Sequence, residues 1–115
     1  MRDKTIANKE RLQHISEAIL KIDEFSKGHS KETFLNDEIL QNAILFQFAI
    51  IGEAIVHIDQ ELLSKYPYPW HHVRSFRNFI IHEYHAIENW IIRETAKNDL
   101  PKLKQTIETI LNNEF

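Results

Sequence analysis

Apolar residues recur at intervals of three and four along nearly the whole chain, which is the period of a helix that buries one face. Leu12, Ile15, Ile19, Ile22 and Phe25 predict a first helix over about Thr5 to Lys27, closed by Gly28. After HSKETFLN, Asn36 or Asp37 can cap a long second helix. Its inward stripe is Ile44, Phe48, Ile51, Ile55, Ile58 and Leu62, and it must end before Tyr66-Pro67-Tyr68-Pro69. A third helix starts near Trp70. A fourth runs from about Ala86 to Lys97 with Ile87, Trp90 and Ile91 inward. A fifth opens at Asn98 or Asp99, takes Pro101 in its first turn, and turns Leu103, Ile107, Ile110 and Leu111 inward. No segment alternates strictly enough for a half-buried strand, so the fold class is all-α, an up-and-down bundle of four to five helices.

Composition narrows the function classes. At 115 residues, with 43% hydrophobic and 27% charged residues, positions 1–115 read as one globular domain. Two glycines and three prolines leave few tight turns. With no cysteine, disulfides and thiolate zinc sites are excluded, and a reducing compartment fits. The N-terminus MRDKTIANKE has no signal-peptide core, and no apolar run approaches a membrane span. The expected location is therefore the cytoplasm. A formal charge of −3 disfavours a general nucleic-acid coat but permits a local basic groove. Isolated Gly28 and Gly52 exclude glycine-rich phosphate loops. Any chemistry falls to His, Arg, Asn, Tyr and carboxylates.

Those residues gather on the third helix. Val73, Phe76 and Ile80 form its apolar stripe, and the opposite stripe reads His71, Arg74, Asn78, His82, His85. A merely solvated face would usually carry Lys and Glu. Imidazoles, a guanidinium and an amide instead suit phosphate binding and proton transfer. Arg77 lies one position off this stripe, and Tyr84 lies seven residues beyond Arg77 on the same side. Arg77 and His82 stand about 140° apart on an ideal helix and do not converge within it. Either the helix ends between His82 and Tyr84, or the stripe faces its copy across a two-fold axis. The second arrangement is favoured, since one exposed helix makes no pocket. Glu53-x3-His57 has helical ligand spacing but offers only two ligands, so no metal is expected. No other cofactor is implied.

Arg77-Asn78-Phe79-Ile80-Ile81-His82-Glu83-Tyr84 resembles the R-x4-6-H-x-Y signature of the HEPN superfamily. With Gly52-Glu53-Ala54, Pro69-Trp70 and the stretch 87–107, the likeness extends from Asn36 to Leu111 and points to the HepT-like branch. The resemblance implies a homodimer with facing motifs and a metal-independent endoribonuclease toxin of a toxin–antitoxin system. It also implies a minimal nucleotidyltransferase antitoxin that transfers AMP to the motif tyrosine, here Tyr84. Arg77, Asn78, His82 and Tyr84 are the expected catalytic set.

In such an enzyme the RNA 2′-OH attacks the phosphate. An imidazole can act as general base or acid, which assigns His82 to proton transfer. Arg77 would hold the non-bridging oxygens. Asn78 would orient the His82 ring or the phosphate. Arg74, His71, His72 and His85 would extend the RNA-binding rim. On its own, Glu53 reads as half of an ion pair with His57, and the resemblance adds that it orients Arg77. Gly52 is expected to permit close helix approach. The alternative function is a non-catalytic helical subunit that binds nucleotide or substrate for a nucleotidyltransferase. His82 separates the two, because phosphate binding alone needs no proton-transfer group.

Overall fold

The computed structural model describes residues 4–115 and is all-helical among them. Its elements in order are α1 (Lys4–Ser26), α2 (Lys31–Leu35), α3 (Glu38–His57), α4 (Gln60–Ser64), α5 (Trp70–Glu83), a 3-10 turn (Tyr84–Ala86), α6 (Asn89–Asn98) and α7 (Leu100–Glu114). The five long helices are those the periodicity predicts, and the bundle adds two short ones, α2 and α4.

The central element is α3, which packs against α1 and α5 and also touches α2 and α6. Leu40, Ile44, Leu45, Phe48, Ile51, Ala54 and Ile55 are buried along it, a band too broad for a helix with one covered side. This breadth corrects one expectation: α3 is long and apolar enough to cross a bilayer. Half of the qualifying stretch is buried inside the bundle, as in the core helix of a folded domain. Leu12, Ile15, Ile19 and Ile22 of α1 and Leu103, Ile107 and Ile110 of α7 complete the core, in the expected register.

Helix ends follow side-chain chemistry. Gly28 takes φ +82 just past α1, where a side chain would be strained. Ser30 Oγ accepts from Thr33 N–H at 3.2 Å and so caps α2, a short helix that the sequence periodicity does not predict. Asp37 caps α3 by accepting from Leu40 N–H at 3.0 Å. The expected second helix does not run through to Leu62. It stops at Ile58, and Asp59 starts α4 by accepting from Glu61 N–H at 3.1 Å. The Asp59 N–H in turn donates to Oδ1 of Asn8, a buried polar residue of α1, at 3.1 Å. Ile58, Leu62 and Leu63 stay buried on both sides of the break.

The Tyr66–Pro69 loop is tied at both ends. Trp70 Nε1 donates to the carbonyls of Leu63 and Tyr66 at 3.1 and 3.2 Å. Tyr66 donates its hydroxyl to Glu114 Oε2 at 2.7 Å, anchoring the loop to the end of α7. Two burial expectations fail. Phe25 is exposed at the last turn of α1. In α6 the buried residue is Ile92, while Ile87 and Ile91 are only half-buried. Trp90 is exposed and gives its indole N–H to Glu88. The 3-10 turn delays the start of the helix to Asn89 and so rotates its inward face.

The α3–α4 break rests on one buried amide. Asn8→Ala leaves the Asp59 N–H without its acceptor and is expected to cost about 1–3 kcal/mol, read by urea unfolding.

Candidate active site

The site is built where α5 crosses α3. Gly52 is buried in α3, and a Cβ there would lie 2.1 Å from Arg77 Cβ and 2.6 Å from its Cγ. Only a residue without a side chain lets the two backbones approach this closely. A mid-helix glycine costs about 1 kcal/mol relative to alanine, so its presence here reflects the contact.

The close approach lays the Arg77 stem across α3 and brings its guanidinium to Glu53. Arg77 Nη2 donates to Glu53 Oε2 at 2.5 Å, and Nη1 donates to Asn78 Oδ1 at 2.9 Å. Nε is buried with no partner among the described residues. The other Glu53 oxygen meets His57 Nε2 at 2.9 Å. His57, Glu53, Arg77 and Asn78 therefore form one polar chain. The hydrogen bond to His57 and then that to Arg77 hold the Glu53 carboxyl below its ordinary pKa. Glu53 and His57 are about half exposed, Arg77 a quarter. At that exposure the pairing adds little to stability; its consequence is a fixed guanidinium orientation.

Not all expected site residues join this cluster. Asn78 accepts from Arg77 and makes no hydrogen bond with the His82 ring among the described residues. Arg74 is turned toward α4 and donates to Gln60 Oε1 at 3.1 Å. His71 is exposed and packs edge-to-face on His72, with centroids 4.1 Å apart. His82 lies exposed in the last turn of α5, without a hydrogen bond or ion pair among the described residues. Helix α5 ends at Glu83, and Tyr84 enters the 3-10 turn, 60% exposed, with its ring 4.7 Å from that of His85. The motif thus splits into an anchored half, Arg77 and Asn78, and an exposed half, His82 and Tyr84.

Some features had no sequence signal. The Gln60 partner of Arg74 depends on the α3–α4 break. The polar residues that line a cleft beside Tyr84 come from α2, α3 and α6, and only tertiary packing brings them there. The link from Glu53 to His57 was legible as an i, i+4 pair. Among the described residues, no group of three or more His, Asp or Glu side chains gathers as a metal site would require.

A family model described as "Ribonuclease HepT-like" matches residues 15–110. The chain is 33% identical over 105 residues to "Probable ribonuclease HepT" of Thermococcus cleftensis, covering 90% of this chain and 96% of that protein. It is 34% identical over 104 residues to a "Putative RNase" of Caldanaerobacter subterraneus subsp. tengcongensis, covering 90% and 93%. A "Gamma-glutamylcyclotransferase and putative RNase" of Methanocaldococcus jannaschii is 35% identical over 101 residues, 87% of this chain. The chain spans only 46% of that longer relative. No solved structure matches.

Two outcomes test the cluster. Gly52→Ala, usually stabilising in a helix, is expected here to destabilise by about 1–3 kcal/mol in chemical unfolding through overpacking. Because the clash is with Cβ, the penalty should persist in an Arg77→Ala background and shrink in Arg77→Gly. The second concerns pH. A carboxyl whose pKa is lowered by folding stabilises above its ordinary range and loses that contribution as pH falls through the lowered value. The stability difference between wild type and Glu53→Gln should therefore be level near neutrality and shrink in acid below the usual carboxylate range.

Proposed function

The chain belongs to the ribonuclease HepT-like family, and on that premise we propose that it is a metal-independent endoribonuclease acting as a homodimer. The observation that carries this reading is the Arg77 guanidinium, held in place by Glu53 and Asn78 yet still reaching the surface. An arginine fixed in this way is prepared to meet a phosphate without reorganising. The exposed imidazole of His82 supplies proton transfer. The RNA 2′-oxygen attacks phosphorus and its proton passes to a base. The P–O5′ bond breaks and the departing oxygen takes a proton, leaving a 2′,3′-cyclic phosphate and a 5′-OH. Two His82 rings, one from each protomer, divide these roles.

The dimer is favoured by an uncovered apolar face. Ile39, Phe46 and Glu53 are seven residues apart and share one side of α3, where Ile39 and Phe46 are exposed. Ile81 of α5 is exposed beside them and, with Phe46, Ala49, Ile50 and Ala54, lines a cavity of about 340 Å³ that Glu53 borders. A second copy seated there covers these side chains next to the Glu53–Arg77 pair and faces motif to motif.

We also assign the protein a toxin role in the cytoplasm, with a nucleotidyltransferase antitoxin as partner and AMP transfer to Tyr84 as the neutralising step. The Tyr84 hydroxyl suits that chemistry because its side chain is exposed and stands outside the helix. Arg74, His71 and His85 extend the RNA-binding surface along α5.

Cleavage of RNA in EDTA by wild type and His82→Ala tests the enzyme reading. Wild type is expected to leave 2′,3′-cyclic phosphate ends, and the variant to be slower by about 10²–10⁴-fold. Binding of RNA without cleavage by wild type would instead favour a non-catalytic nucleotide-binding subunit.

A further inference from the structure

Tyr84 and His85 border a cavity of about 470 Å³, walled otherwise by the first two turns of α3, by the end of α2, and by the start of α6. It is the most amide-rich surface beside the motif. Asn42 and Asn89 stand exposed in it, and neither side chain has a partner among the described residues. Gln41 is buried and pinned, its Nε2 donating to the Phe34 carbonyl at 2.9 Å. That bond leaves the Gln41 carbonyl oxygen without a partner among the described residues. Glu38 contributes an exposed carboxylate likewise free of any ion pair among them. Tyr84 and His85, packed edge-to-face, close the motif side.

This chemistry does not suit a phosphate. The cavity lining carries no Lys or Arg, and the Glu38 carboxylate repels an anion. It does suit a base. An exposed aromatic ring gives a stacking platform, and carboxamides both donate and accept along a base edge. The pinned groups present acceptors, the Gln41 carbonyl and Oδ1 of Asn36, whose Nδ2 donates to the Glu32 carbonyl at 2.9 Å, and the exposed Glu38 carboxylate adds two more oxygens. Two parallel N–H donors match a carboxylate best, and among the four RNA bases only guanine presents adjacent imino and amino donors on one edge. The Asn42 and Asn89 amide nitrogens can then donate to the guanine O6 and N7 acceptors.

We propose that this cleft is a nucleobase subsite selective for guanine, with Glu38 as its principal specificity-determining residue. The base is that of a nucleotide flanking the cleaved phosphate, an assignment that rests on the ribonuclease reading. Arg77 and His82 act on the phosphodiester, and the cleft beyond Tyr84 chooses which phosphodiester is presented. The protein would thereby cut preferentially beside guanine.

Two measurements separate this inference from the ribonuclease reading. In the first, guanosine, inosine, adenosine, cytidine and uridine are titrated into ¹⁵N-labelled protein while the Asn42 and Asn89 side-chain amide resonances are followed. Guanosine is expected to shift them at concentrations roughly tenfold below the others, inosine losing affinity with its amino group. Glu38→Gln should abolish this preference, whereas Arg77→Ala should retain it. In the second, cleavage sites are mapped on RNA of mixed sequence for wild type, Glu38→Gln and Asn42→Ala, and the fraction beside guanine is compared. Glu38 and Asn42 are exposed, so their variants test recognition and not folding; Arg77 is a quarter exposed, and its variant is read only after its unfolding midpoint shows that it is folded.

Guanosine-selective shifts lost in Glu38→Gln establish the subsite, and they do so even if no RNA is cut, in which case the ribonuclease reading alone fails. No shift with any nucleoside, or equal shifts with all five, overturns the subsite even if RNA is cut efficiently. Cleavage with unchanged site preference in Glu38→Gln overturns the specificity role.

Discussion

The absence of one Cβ governs the arrangement of the site. Helices α3 and α5 cross so closely at Gly52 that the stem of Arg77 occupies the space a side chain would fill. Everything polar in the cluster follows from that crossing. It brings the guanidinium within reach of Glu53, one residue further along α3, and it buries Nε while leaving the terminal nitrogens at the surface. A larger separation would let Arg77 swing into solvent, where its charge would be kept and its direction lost. The energetic cost of a glycine inside the most buried helix is thus tied to orientation and not to core stability.

Two kinds of constraint act on neighbouring parts of α5. The N-terminal part is fixed by packing and hydrogen bonds: Trp70 to the carbonyls of Leu63 and Tyr66, Arg74 to Gln60, Arg77 to Glu53 and Asn78. Beyond the buried Ile80, His82, Glu83, Tyr84 and His85 are all exposed, and the helix gives way to a 3-10 turn. On the proposed reading, this division lets the arginine hold phosphate in a set geometry while His82 meets a substrate from outside. Preorganisation is concentrated on the group that bears a permanent charge, where random orientation would be most costly.

How far the sequence shows this depends on the range of the interaction. The five long helices were legible because each has a buried face repeated over several turns, as with Ile15, Ile19 and Ile22. The break at Ile58 was not, since buried residues continue at Leu62 and no proline or glycine intervenes. Its cause is the distant Asn8 amide, together with the local cap of Asp59. Trp90 was misplaced for a related reason: a three-residue 3-10 turn shifts the phase of α6, and periodicity alone cannot see a phase shift. Gly52, Glu53 and Arg77 stood out individually as residues that broke the local pattern, and the family resemblance supplied the contact between the last two. Asn42, Gln41 and Asn89 did not stand out, because polar residues on partly exposed helices are ordinary until packing places them around one space.

The same contrast bears on the uncovered face of α3. Ile39 and Phe46 are exposed on the monomer, and leaving such side chains in water is unfavourable in proportion to their area. Glu53 lies on that same face, so a copy docking there would draw water away from the Glu53–Arg77 pair. Removing water strengthens an ion pair only when its geometry is already set, and otherwise leaves a charge poorly compensated. Here the geometry is set within one chain by Gly52 before any partner arrives. In the proposed dimer, docking would then tighten an arrangement that folding has completed, and a two-fold axis would need only to bring the exposed His82 residues toward a phosphate held by the arginines.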